Sequence, residues 1–163
     1  MARTELDRAV LPSLLDRLTD YAPREAVDPS TTRDDSARRF RESVQRDLEW
    51  LLNTRRTIVA VGPDSREVRN SVHQFGLTDF AGLTTSSAMW RERLLEDVRD
   101  SIHRFEPRLV DVVVKLADAV TGGSQQVRFV IAATLRMDPS PEQVVFDTVL
   151  EVSNFTYEVE DKT

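Results

Sequence analysis

The chain contains no cysteine. That absence excludes disulfides, thiolate chemistry and cysteine-based zinc sites, and it suits a reducing compartment. Histidine is nearly missing too: only His73 and His103 are present. Neither has a second histidine one helical turn away, so a zinc site has little support. Lysine is equally scarce. All but two of the 22 basic residues are arginine, the exceptions being Lys115 and Lys162. Arginine offers a flat, forked donor suited to interfaces, although base composition in the genome explains the bias equally well. No apolar run approaches the roughly 20 residues a spanning helix needs. The segment from Met1 to Asp20 alternates charged and apolar residues and lacks the continuous apolar stretch of a signal peptide. The expectation is a soluble, cytoplasmic protein without direct membrane insertion. With 28 acidic residues and a formal net charge of -6, the chain also lacks the basic excess that phosphate backbones require, which argues against nucleic acid as a partner. Gly122-Gly123 has no following lysine or helix to make a phosphate loop, and no serine sits in a nucleophile elbow.

What is present points to one domain with an extension. The 163 residues suffice for a domain that buries its own core. Residues 1–33 read as an N-terminal docking extension and linker. Leu11, Leu14, Leu15 and Leu18 form a short apolar stripe at helical spacing, and the polar, proline-bearing stretch from Asp28 to Asp35 follows it. So short a helix is marginal alone and must rest either in a partner's groove or on its own domain. The body spans residues 34–163. Phe40, Val44, Leu48, Leu51 and Leu52 define one face of a long helix capped by Asp34, Asp35 or Ser36 and ending near Asn53. The apolar, β-branched segment Thr57–Val61 runs into a turn at Gly62-Pro63-Asp64. A second helix over about 65–74 stops at Gly76. Trp90, Leu94, Val98 and Ile102 mark a third, capped at Thr85, Ser86 or Ser87 and ended by Pro107.

Beyond Pro107 the apolar period changes to two. Strands are expected over Leu109–Leu116, then at Val127, Phe129, Ile131, Ala133 and Leu135, then over Val144–Val152, with a short fourth over Phe155–Glu160. Turns at Thr121–Ser124 and Asp138–Pro141 separate them. Short loops favour antiparallel neighbours. The fold class is therefore α+β: N-terminal helices followed by a small antiparallel sheet of three to four strands packed on a long helix. Trp90, Phe105 and Phe129 belong to the core.

Three features carry a possible function. Glu106, Pro107 and Arg108 form a rigid charged knuckle at a helix-to-strand junction. It is either a helix stop with an internal ion pair or a surface that makes charge-assisted bonds to a partner. Arg55 and Arg56 either complement the dipole of the preceding helix or contact a partner. The late strands offer a free edge for strand addition, assigned to Val144–Leu150 or Phe155–Tyr157, so that Val145, Asp147, Val149, Phe155 and Tyr157 are candidate binding residues. A rival reading makes Glu106 the general acid of a peptidoglycan-cleaving, lysozyme-like enzyme, although no spacing identifies its second carboxylate. A third reading is a generic adaptor.

Four segments, in order, resemble one family. Pro12-Ser-Leu-Leu-Asp-Arg-Leu18, Val44-Gln-Arg-Asp-Leu-Glu-Trp-Leu-Leu-Asn-Thr-Arg-Arg56, Ser71-Val-His-Gln-Phe-Gly-Leu-Thr-Asp-Phe80 and Ile102-His-Arg-Phe-Glu-Pro-Arg-Leu109 are similar to stretches of the TssE family of type VI secretion baseplates and its phage relatives, the small wedge proteins of contractile tails. Gln74, Phe75 and Thr78 depart from the family's Asn, Tyr and Pro. The resemblance implies a non-catalytic wedge subunit needing no cofactor. It implies partners among the baseplate subunits TssF, TssG and TssK and the sheath proteins TssB and TssC, at a baseplate docked on the inner-membrane complex. It also implies that the late strands extend the sheath's sheet and template its first ring, and that Glu106, Pro107 and Arg108 face TssF–TssG. On that reading Arg108→Ala leaves the monomer's melting temperature nearly unchanged but weakens wedge assembly.

Overall fold

A computed structural model describes residues 9–20, 23–24, 32–62, 64–80, 88–117, 126–138 and 140–163. The turn assigned to Thr121–Ser124, the cap assigned to Thr85, Ser86 or Ser87, Pro63, Pro139 and most of the linker lie outside them.

Among the described residues four α-helices precede four strands: α1 (Leu14–Leu18), α2 (Arg33–Asn53), α3 (Arg66–Arg69), α4 (Ala88–Phe105), β1 (Leu109–Leu116), β2 (Gln126–Leu135), β3 (Glu142–Glu151) and β4 (Thr156–Asp161). α2 begins at Arg33, ahead of the expected caps Asp34, Asp35 and Ser36. Its cap is Thr32, whose side chain accepts from the Asp35 N–H and donates to the Asp35 carboxylate, so that one of the first turn's free donors is satisfied. The expected second helix breaks into α3 and a 3-10 turn over Val72–Gln74. Its apolar residues have no face to bury, since Val68 and Val72 are both exposed. Thr57–Val61 joins no strand, and Ile58 points into solvent at 93% exposure.

The strands form one antiparallel meander in the order β1-β2-β3-β4. α4 packs against β1, and α2 packs against β4 and touches α4. The core lies between these two helices and one face of the sheet. Trp90, Leu94, Val98 and Ile102 of α4 are all but inaccessible, as are Val44, Leu48, Leu51 and Leu52 of α2. Opposite them sit Phe129, Ile131 and Leu135 of β2 with Phe146 and Leu150 of β3. Burying each such side chain contributes about 1.5–3 kcal/mol. Edge-on ring pairs, Phe80 with Trp90 at 6.3 Å and Phe129 with Tyr157 at 6.4 Å, add directional packing.

β1 departs from a regular strand. Asp111 adopts a positive φ of 54°, and the register with β2 shifts between Val110 and Val113. This is a β-bulge, which bends an edge strand and increases its twist.

Candidate functional site

The end of α2 and the residues just after it are where the other three family-like segments meet. The first contact is the corner at the end of α4. Glu106 is buried at 4% exposure, while Pro107 is exposed. The Arg108 guanidinium turns back onto it: Nε donates to Glu106 Oε1 at 2.6 Å, and Nη2 binds Glu106 Oε2. The same Nη2 reaches Asp47 Oδ2 of α2 at 2.6 Å, and Nη1 reaches Ser43 Oγ at 3.3 Å. The cation also lies 5.7 Å over the Phe40 ring. Burial alone would make the guanidinium easier to deprotonate, but Glu106 and Asp47 outweigh it and hold the proton more firmly than usual. Of the two readings of the charged knuckle, this arrangement is the helix stop with an internal ion pair. Glu106 and Arg108 are bound to each other and to α2, because a buried carboxylate needs an adjacent counter-charge. Glu106 is equally out of reach as a general acid for a polymer substrate.

The ion pairs continue beyond Arg108. Arg46 bonds Asp47 and also Asp16 of α1, each at 2.9 Å, and its cation covers the Trp50 ring at 5.0 Å. Burial would raise the pKa of Asp16, yet the hydrogen bonds from Ser13 and Arg46 and the Arg46 charge bring it below the ordinary value. A line of alternating charges, Asp16–Arg46–Asp47–Arg108–Glu106, thus joins α1 to the corner. α1 is held by polar contacts and by its anchor Val10, which is buried and donates its N–H to Ser36 Oγ at 2.9 Å. Leu11, Leu14, Leu15 and Leu18 meanwhile face solvent at 80%, 71%, 50% and 76% exposure.

A second cluster joins the end of α2 to the Ser71–Phe80 segment. Arg56 donates to Gly76 O at 2.8 Å and to Ser101 Oγ at 2.8 Å, and pairs with Asp97 at 3.1 Å. Leu77 N–H donates to Thr54 O at 2.9 Å. This close approach needs glycine at position 76: φ is +100°, and a Cβ there would stand 2.2 Å from Thr54 O. The role of Arg56 is therefore local cross-bridging, whereas the Arg55 side chain makes a long, exposed pair with Asp79 at 3.7 Å.

The third contact concerns the sheet's margin, where the edge expected at Val144–Leu150 is corrected. β3 is paired along its whole length with β2 on one side and with β4 on the other. Val145, Asp147 and Val149 therefore lie on an inner strand, whose backbone has no free edge. Their side chains instead project from the face turned away from the core, where Asp147 pairs with Lys162. β4 is a marginal strand, yet α2 covers part of its outer backbone. Asn53 Nδ2 donates to Tyr157 O at 2.9 Å, Asn53 Oδ1 accepts from Tyr157 N–H at 2.9 Å, and Gln45 Nε2 donates to Val159 O at 2.7 Å. Tyr157 is itself buried at 4% exposure, and burial, with Asp97 nearby, pushes its phenol pKa up. Phe155 is half-buried and occupies the turn before β4 with φ of 54°. β1 has β2 on one side and no strand on the other among the described residues.

Sequence reasoning missed Asn53, Gln45, Arg46 and Asp47 as the residues that gather these parts. All four lie on the polar side of α2, and a helical period says which residues share a face but not which strand that face meets.

His73 and His103 are exposed and lie on different elements. Among the described residues, no group of three or more candidate ligands could hold a metal ion, and no helix is long and apolar enough to cross a membrane.

A family model described as baseplate wedge protein gp25 matches residues 38–140. The chain belongs to this family. TssE is the type VI secretion counterpart of gp25, so the resemblance read from the four segments holds at the level of the family. The matched span of this wedge-family chain covers most of α2, the Arg56–Gly76 cluster, the Glu106–Arg108 corner and both β1 and β2; β3, β4 and α1 lie outside it. The family is one of structural baseplate components. No curated protein and no solved structure matches the chain.

Proposed function

We propose that this wedge-family protein is a non-catalytic baseplate subunit of a type VI secretion system, joining the wedge to the contractile sheath. Its partners on this reading are the baseplate subunits TssF, TssG and TssK and the sheath proteins TssB and TssC. It acts on the cytoplasmic side, at the baseplate docked on the inner-membrane complex, and binds no nucleic acid. The family match supports a baseplate role. The sheet's margin supports strand addition, at β1 rather than at β3 or β4: an edge strand offers unpaired backbone groups to an incoming strand, while β4's are partly occupied by Asn53 and Gln45. Glu106, Pro107 and Arg108 contribute by setting the angle at which β1 leaves α4. The exposed Leu14, Leu15 and Leu18 supply a second docking point to the wedge.

The test uses β1 itself. Ala117 N–H donates inward to Arg128 O at 3.0 Å, so alternation turns the Leu116 N–H outward. Leu116→Pro removes an outward donor and no ladder bond, and proline is tolerated on such an edge. The variant should fold and bind TssF–TssG yet fail to start a sheath from TssB–TssC. Normal sheath assembly from the folded variant would rule out β1 as the template.

A further inference from the structure

We propose that two copies of this chain pair through the open faces of their sheets, about a two-fold axis that runs parallel to the strands. Among the described residues both long helices lie on the other face, the one that carries the core. The open face has an apolar centre. Val113, Ala132 and Val145 are cross-strand neighbours in one row, with Val130 and Val149 in the next rows. All five are at least partly exposed, and Val113 reaches 44%.

The charges beside this centre are sorted by strand. Lys115 of β1 and Arg128 of β2 lie on one side, Glu158 and Glu160 of β4 on the other. Two rows show the order: Lys115, Val130, Asp147, Glu160 and then Arg128, Val149, Glu158. Asp147 is neutralised by Lys162. Lys115, Arg128, Glu158 and Glu160 are exposed and have no ion pair or side-chain hydrogen bond among the described residues.

This sorting makes the face complementary to itself under one operation only. A two-fold axis in the plane of contact and across the strands sets β1 on β1, like charge on like. An axis along the strands sets β1 of one copy over β4 of the other. Lys115 then meets Glu160 of the second copy, twice by symmetry, and the valines meet at the centre. Sheets stack face to face about 10 Å apart with aligned strands. Four strands at about 4.8 Å spacing and roughly 3.3 Å per residue along the ten-residue inner strands give about 600 Å² of face per copy. That stands at the low end of specific interfaces and predicts a reversible, micromolar dimer.

Sedimentation velocity of the full chain across the micromolar range tests this. The mass should rise with concentration from 18.6 kDa towards twice that value, and less so in high salt. Lys115→Glu and Glu160→Lys, taken singly, should each weaken association on the order of tenfold, because each breaks two symmetric pairs. The double variant should restore it. Val130→Asp, with Val113→Ser as a milder alternative if folding suffers, should abolish it. A chain that stays monomeric to several hundred micromolar, or a dimer indifferent to these changes, overturns the proposal.

Discussion

The side-chain amide of Asn53 pairs with both backbone groups of Tyr157, donating to its carbonyl and accepting from its N–H, each at 2.9 Å. Asn53 is the last residue of α2, so a helix end stands where a fifth strand would otherwise lie. Replacing Asn53 with leucine of similar size removes both bonds and leaves two backbone groups of a buried residue unpaired. We expect a loss of about 1–3 kcal/mol in chemical denaturation. We also expect more self-association through the uncovered edge, read by light scattering. Unchanged stability and scattering would show that the amide merely lies near the strand.

Arg108→Ala should destabilise the fold, contrary to what an exposed knuckle implies. The Arg108 side chain is 19% exposed and the Glu106 side chain only 6%, so loss of the guanidinium strands a buried carboxylate. Removing one partner of a buried pair costs about 3–5 kcal/mol. Pairing the change with Glu106→Gln should recover much of the loss, and a double-mutant cycle in guanidinium measures the coupling. A melting temperature unaffected by Arg108→Ala would return the corner to the solvent.

Acid should loosen α1 before it unfolds the domain. The folded-state pKa of Asp16 is below its ordinary value, so Asp16 binds a proton more readily when α1 is undocked. Its contribution is complete above the ordinary aspartate range and fades as pH falls through the lowered value, because Arg46 stays charged throughout. The protection of the Leu14–Leu18 amides, taken relative to the intrinsic exchange rate at each pH, should fall in that window in the parent chain. In Asp16→Asn that protection should already be low at neutral pH and should change little with acid. Equal acid sensitivity in both chains would move the switch elsewhere.

Thr148 offers a gain. It is 1% exposed on the core side of β3, and its hydroxyl has no hydrogen-bond partner among the described residues. An unpaired buried hydroxyl costs on the order of 1–3 kcal/mol. Thr148→Val keeps the shape and should raise the unfolding free energy by about 1 kcal/mol. A lower value would reveal a bond to the hydroxyl that the valine had removed.

These residues show where sequence reasoning succeeds. The stripe Trp90, Leu94, Val98, Ile102 and the alternation from Val127 to Leu135 were legible because periods of 3.6 and 2 follow from local geometry, and burial then favours the side that is apolar. The α3 region was less so: Val68 and Val72 supply apolar residues, but nothing stands opposite to bury them. The site was read least well. Glu106 and Arg108 were visible as a pair, but a pair two residues apart fits either an outward or an inward arrangement, and Asp47 and Ser43, 61 and 65 residues from Arg108, decide between them.

By itself the sequence determined that two amphipathic helices precede an alternating set of strands, and that the chain has no cysteine chemistry. These depend on the covalent order of side chains and on the local periods of the backbone. Only the tertiary structure decided which strand has a free edge, because an edge is a statement about neighbours. Asn53 and Gln45 reach β4 from more than a hundred residues away, and the margin left open at β1 is set by the way the helices fold over the sheet.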